Sequence, residues 1–127
     1  GDVPIYVALD SSDAWANPEM LQFDEDYDPK AVAGCPPDAF SATGQLWGNP
    51  LYDWKALKKD GYGWWVQRMT HCMELYDVVR IDHFRGFDEY YAIPYGDKTA
   101  ERGKWEKGDR DGGRIRIPGN EGIAVCV

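Results

Sequence analysis

The stretch Val78-Val79-Arg80-Ile81-Asp82-His83-Phe84-Arg85-Gly86-Phe87 runs an alternating strand pattern straight into a cluster of ionisable and aromatic side chains. Side chains alternate across a strand, so Val78, Arg80 and Asp82 share one face, while Val79 and Ile81 form an apolar opposite face. A guanidinium one pleat from a carboxylate favours its ionised form, which suits a nucleophile or an electrostatic stabiliser better than a general acid. The local pattern leaves Asp82 open to two readings, a catalytic carboxylate and a structural partner of Arg80.

Working outward, residues 4–9, Pro-Ile-Tyr-Val-Ala-Leu, read as a second strand buried on both faces. Asp10-Ser11-Ser12-Asp13 offers helix caps ahead of Ala14 and Trp15. Residues 24–53 carry successive turn signals and read as one long loop, the kind that is usually functional. From Tyr62 to Tyr76 the apolar residues fall at helical spacing and predict a core-facing helix. Strand, excursion, helix, strand is a βαβ order with a parallel sheet, and reactive side chains are expected at the strands' carboxyl ends, near Asp10 and Asp82. Asp2 precedes its expected strand and is harder to place. The chain turns irregular again after Asp82, and Gly-Pro breaks dominate from Asp109 to Val127.

A chain of 127 residues with 43% apolar and 14% aromatic side chains can build one modest core. Its net charge of −8 lacks the positive field of a nucleic-acid or anionic-membrane binder. No apolar run approaches the roughly 20 residues of a membrane-spanning helix, and no signal segment opens the chain, so the cytoplasm is the expected compartment. Gly1 in place of Met, followed at once by a strand, is expected of a piece of a longer protein. Cys35, Cys72 and Cys126 are scattered and odd in number, against a disulfide framework or a Cys-x-x-Cys metal site. No zinc, P-loop or dinucleotide fingerprint occurs, so no cofactor is expected. Ser11, Ser12 and Ser41 have no identifiable base and no Gly-x-Ser-x-Gly elbow, and His71 reads as a surface histidine.

Asp38, Phe40, Gln45, Trp47, Asn49, Tyr52 and Trp54 crowd flat rings beside amides and carboxylates. Pyranose C–H faces stack on aromatic rings while the hydroxyl rim takes hydrogen bonds, so the mixture suits a sugar. Each residue alone also fits a satellite core pinning the long loop.

Four blocks, residues 1–11, Ala33–Ser41, Gly44–Tyr52 and Val79–Phe87, together resemble the 4-α-glucanotransferases (amylomaltases) of glycoside hydrolase family 77. Cys35, where that family commonly has a small residue, is a mild departure. The resemblance implies an α/β fold, a partial (β/α)8 TIM barrel around strands 3 and 4 with long loop insertions. It implies residues 1–108 as a fragment of the catalytic barrel, and 109–127 as a divergent tail foreign to the family pattern. By the same resemblance Asp82 is the nucleophile, Arg80 supports its carboxylate, and Asp2, Asp38, Gln45, Trp47, Asn49 and His83 bind substrate. The partners implied are a maltooligosaccharide or starch-like glucan donor and a sugar acceptor. In such a retaining mechanism a covalent glycosyl-enzyme forms on one carboxylate while a second acid protonates the leaving oxygen. The family's acid/base Glu and third catalytic Asp belong to downstream motifs, which Glu121 in Asn120-Glu121-Gly122-Ile123 does not match. The isolated chain is therefore expected to be inactive. An α-glucan hydrolase of the same clan and a non-catalytic glucan-binding module are the competing expectations. A two-strand slice of a barrel is also expected to expose the Val79/Ile81 face and the helix stripe.

Overall fold

The computed structural model describes residues 1–109 and the backbone of 124–126. Glu121 and most of the tail from Asp109 to Val127 lie outside the described residues.

Two sheets organise the chain. In the first, β1 (Asp2–Pro4) and β4 (Val79–Asp82) pair in parallel, and β7 (Ala124–Cys126) lies parallel on the other side of β4. The Val-Arg-Ile-Asp alternation of β4 holds, with Val79 and Ile81 buried and Arg80 and Asp82 exposed. Burial of an aliphatic side chain of this size stabilises by about 1.5–3 kcal/mol. That face is covered within the chain: Val79 and Ile81 share a core with Val3, Ile5, Trp65 and Met69. The expected exposure of this face is thus corrected, and that of the helix stripe in part, since Trp65 and Met69 are buried while Tyr76 at its end stays exposed. The covering element is α3 (Gly63–Leu75), the helix read from the apolar spacing, whose Trp65 and Met69 are buried.

The first strand is displaced from its expected position. It occupies Asp2–Pro4 and not residues 4–9, because its pairing with β4 ends where β4 ends, at Pro4 opposite Asp82. Pro4 also lacks the N–H needed to extend a ladder. Ile5, Tyr6 and Val7 stay buried without strand geometry, which accounts for the continuous apolar run. Asp2 consequently sits inside the strand, in register with Arg80.

The second sheet is antiparallel, in the order β3-β2-β5-β6, and was hidden in segments that read as loop. It comprises β2 (Ala31–Cys35), β3 (Gln45–Pro50), β5 (Glu89–Pro94) and β6 (Lys104–Lys107). In β2 the small residues are there for close approach, since a Cβ on Gly34 would stand 2.1 Å from the Gln45 carbonyl oxygen. The β2–β3 register shifts between Val32 and Gly34, a bulge that breaks any period-2 signal. β5 is buried from Tyr90 to Ile93, so it shows no alternation either.

Two short helices complete the description. Ser11 caps α1 (Ser12–Ala16), its Oγ accepting from the Ala14 N–H at 3.1 Å, as the Asp-Ser-Ser-Asp pattern predicts. Asp53 caps α2 (Trp54–Lys59) in the same way through the Ala56 N–H. The shared core is rich in aromatic rings, among which Tyr52 and Trp54, and Trp65 and Phe87, have centroids 5.3 and 5.0 Å apart.

Candidate active site

Register, burial and charge meet at the upper end of β1 and β4. Parallel pairing sets Asp2 beside Arg80, and the pleat sets Asp82 beyond it on the same exposed face. One guanidinium nitrogen, Arg80 Nε, lies 2.9 Å from Asp2 Oδ1 and 3.2 Å from Asp82 Oδ1. All three side chains are about half exposed, so solvent screens the pairs and their value is positional more than stabilising. A single cation thus draws together carboxylates from two strands and leaves the Asp82 side chain about half exposed.

Immediately after Asp82 the backbone reverses through His83, in the left-handed region at φ 54°. This ends the strand and opens a short turn at Phe84–Phe87. His83 is turned against Trp47, edge to face, with ring centroids 5.0 Å apart. Tyr6 lies 6.4 Å from each of the two rings. Gln45 completes the group, its Oε1 accepting from Trp47 Nε1 at 3.1 Å. The structure therefore joins Asp2, Arg80 and Asp82 in one cluster and Gln45, Trp47 and His83 in another, linked by the Asp82–His83 peptide bond.

The remaining sequence candidates are placed differently. Asn49 is half-buried, with Nδ2 donating to the Val7 carbonyl at 2.9 Å. Asp38 organises its own turn, Oδ1 accepting from the Phe40 and Ser41 N–H groups at 2.8 Å each, and this turn holds Phe40 fully exposed. Asp10 is not with Asp82; it lines a separate open groove of about 790 Å³ beside Leu9, Trp15, Phe23 and Tyr27. The expectation that Asp10 and Asp82 mark the same strand ends fails because the first strand stops at Pro4. His71 is exposed and pairs with Glu74 at 3.5 Å.

Tyr6 is the participant that sequence reasoning missed. It read as one more apolar member of a buried strand, and the only signal was a hydroxyl-bearing ring in an otherwise aliphatic run. Burial, then Tyr90 and Cys35, pushes its hydroxyl well above the ordinary range, so it remains a protonated donor. There is no room to spare around it: a Cβ on Gly86 would stand 3.1 Å from the Tyr6 hydroxyl and 2.8 Å from Ile5 Cδ1.

Burial first, and then the Arg85 charge, holds His83 below the usual imidazole range. His83 is therefore neutral at pH 7 and protonates only on stronger acidification. In linkage terms, folded and unfolded chains are both neutral here well above about pH 6.5. As pH falls, the unfolded chain takes up this proton first, and stability declines until the folded imidazole is protonated too. Because His83 touches Trp47, acid titration is expected to quench part of the tryptophan fluorescence, with a midpoint below about 6.5. His83→Asn, which keeps a residue tolerant of positive φ, should remove that component. A midpoint at or above the ordinary histidine value, or quenching that survives the substitution, would refute the assignment.

A carboxylate at a strand's carboxyl end, a cation behind it and packed aromatic rings beside it are suited to attack on an electrophilic carbon of a ring that offers C–H faces. The family model for 4-alpha-glucanotransferase matches residues 1–113. A 4-alpha-glucanotransferase of Streptococcus pneumoniae is 59% identical over 108 residues, covering 85% of this chain and 21% of the relative. A chloroplastic/amyloplastic 4-alpha-glucanotransferase of Solanum tuberosum is 53% identical, covering 85% of this chain and 19% of the relative. Among solved structures, an amylomaltase from Streptococcus agalactiae in complex with acarbose superposes with TM-score 0.81 at 45% identity, covering 85% of this chain and 22% of that one. The fold also matches an amylomaltase from Corynebacterium glutamicum, TM-score 0.78 at 23% identity, over 88% of this chain and 15% of that one. The chain spans about a fifth of the length of the curated relatives it matches.

Proposed function

We propose, because the chain belongs to the 4-alpha-glucanotransferases of glycoside hydrolase family 77, that it supplies the nucleophile half of an active site transferring α-1,4-glucan segments between maltooligosaccharides. The observation that carries the reading is Asp82 at the end of β4, tied with Asp2 to Arg80 and flanked by the Trp47–His83 pair. In this reading β1 and β4 are strands 3 and 4 of a (β/α)8 barrel. Residues 1–108 are a part of that barrel, and 109–127 are a divergent tail. No helix among the described residues is long and apolar enough to cross a membrane, and the cytoplasm is our reading of the compartment.

Mechanistically, Asp82 attacks the anomeric carbon of a donor glucan from the face opposite the glycosidic oxygen, forming an ester bond as the C–O bond breaks. A sugar hydroxyl of the acceptor then displaces the carboxylate, restoring the original configuration. Arg80 holds the attacking oxygen's charge and fixes its direction. Trp47 and His83 present ring surface to the sugar, with Gln45 and Asp2 reaching its hydroxyls. Asp38 shapes a turn that borders the sugar's path, and Asn49 acts at its rim.

Bond cleavage also needs a proton on the leaving oxygen. Asp2 and Asp82 both serve Arg80 as anionic partners, so neither is placed to donate one. The 127-residue chain alone is accordingly expected to give no transfer products from maltotriose. The full reaction is tested by grafting residues 1–108 into the Streptococcus pneumoniae relative in place of its matching segment. That chimera is expected to convert maltotriose into a ladder of longer oligosaccharides, resolved by chromatography. Only shorter sugars would point to hydrolysis, and an inactive, folded chimera would overturn the reading.

A further inference from the structure

Pairing of β1 ends at Pro4, yet Ile5 and Val7 remain buried, which leaves their carbonyls in need of donors. The two short bonds come from one segment, while Arg68 Nη1 reaches the Ile5 carbonyl only at 3.5 Å. Tyr52, buried beneath the site, donates its hydroxyl to the Ile5 carbonyl at 2.6 Å, and Asn49 Nδ2 donates to the Val7 carbonyl at 2.9 Å. Between the two anchors the Tyr6 ring lies on Tyr52, centroids 6.1 Å apart and nearly parallel. The other face of this arrangement is Trp47, two residues before Asn49 and in edge contact with His83. The covalent and non-covalent links close into a ring running from β1 through Ile5 and Val7, Asn49 and Tyr52, Trp47 and His83, to Asp82 and back across the sheet to β1.

From this closed ring we infer that Asn49 and Tyr52 are positioning residues that fix how far the Trp47 ring stands from the Asp82 carboxylate. The inference rests on the transferase reading for its kinetic consequence, and on the geometry alone for its structural one. If either anchor is cut, the β3 end of the small sheet loses one of its two hydrogen-bonded ties to the strand segment. Trp47 then offers the sugar several poses of similar affinity, of which few present the anomeric carbon to Asp82. Misplacement on this scale acts on kcat more than on KM.

The test uses two substitutions that each remove one donor while nearly conserving shape, Asn49→Asp and Tyr52→Phe. In the active chimera each is expected to lower kcat on maltotriose by about 10- to 100-fold while KM changes far less. In the 127-residue chain each is expected to abolish the acid quenching of Trp47 by His83, a readout that needs no catalysis. Two results overturn the inference. One is kcat and quenching like the unaltered protein in both variants. The other is a change confined to Asn49→Asp, because a direct contact with sugar would explain that without Tyr52, whose hydroxyl is buried. Should Asn49→Asp fail to fold, Tyr52→Phe, which deletes one oxygen, decides the matter. An inactive unaltered chimera would count against the transferase reading, and the quenching comparison would then still decide the positioning.

Discussion

Asp82→Asn in the chimera is expected to lower kcat for transfer from maltotriose by about four orders of magnitude or more, the scale on which loss of a nucleophile falls. The substitution keeps the shape and the exposed position of the side chain, and it leaves the buried Val79/Ile81 face untouched. Folding should be preserved, as judged by circular dichroism and thermal melting. A structural partner of Arg80 would behave in the opposite way, because an exposed ion pair contributes about 0–1 kcal/mol and its loss would leave turnover within about tenfold of the parent. A second variant separates attack from mere electrostatics. Asp82→Gly opens the space on the attacking face, and azide supplied with an activated α-glucosyl donor should enter there to give the β-glucosyl azide. Recovery of α-configured product only, or no azide adduct from a folded variant, would remove Asp82 from the nucleophile's role.

The parts of this arrangement legible from the chain are those whose signals are local. Alternation in Val79–Asp82 identified β4 and its two faces, and the apolar spacing from Tyr62 identified α3, because each depends on one element meeting one core. The antiparallel sheet was illegible for a physical reason. β2 needs Gly34 to admit the Gln45 carbonyl, β3 turns through Gly48 at φ 80° before Asn49-Pro50, and β5 is buried on both faces. Each therefore carries turn residues or an unbroken apolar run where a strand pattern would be sought. The site divides along the same line. Arg80 beside Asp82 follows from the pleat, and the association of Gln45 with Trp47 follows from their spacing. Asp2 joins them only through the inter-strand register, and Trp47 meets His83 only because a left-handed residue ends β4.

Arg80→Met is expected to lower kcat/KM for transfer by about 100-fold or more, with the loss concentrated in kcat. Arg80 is the only described side chain that pairs with both Asp2 and Asp82, and removing it leaves two carboxylates from adjacent strands with no cation between them. Their mutual repulsion would turn Asp82 away from the line of attack, and the effect should weaken as added salt screens the pair. Arg80→Lys should recover only part of the rate. An ammonium is a compact point charge on a flexible stem, whereas the planar guanidinium presents its Nε to both acids. Removing Asp2 as well supplies the decisive comparison. If Arg80 acts by holding the two carboxylates apart and in place, Asp2→Asn in the Arg80→Met background should restore part of the lost kcat, because only one negative charge then remains at the strand ends. Strictly additive losses in that double-mutant cycle would instead mean that Arg80 and Asp2 act independently, with Arg80 serving Asp82 alone.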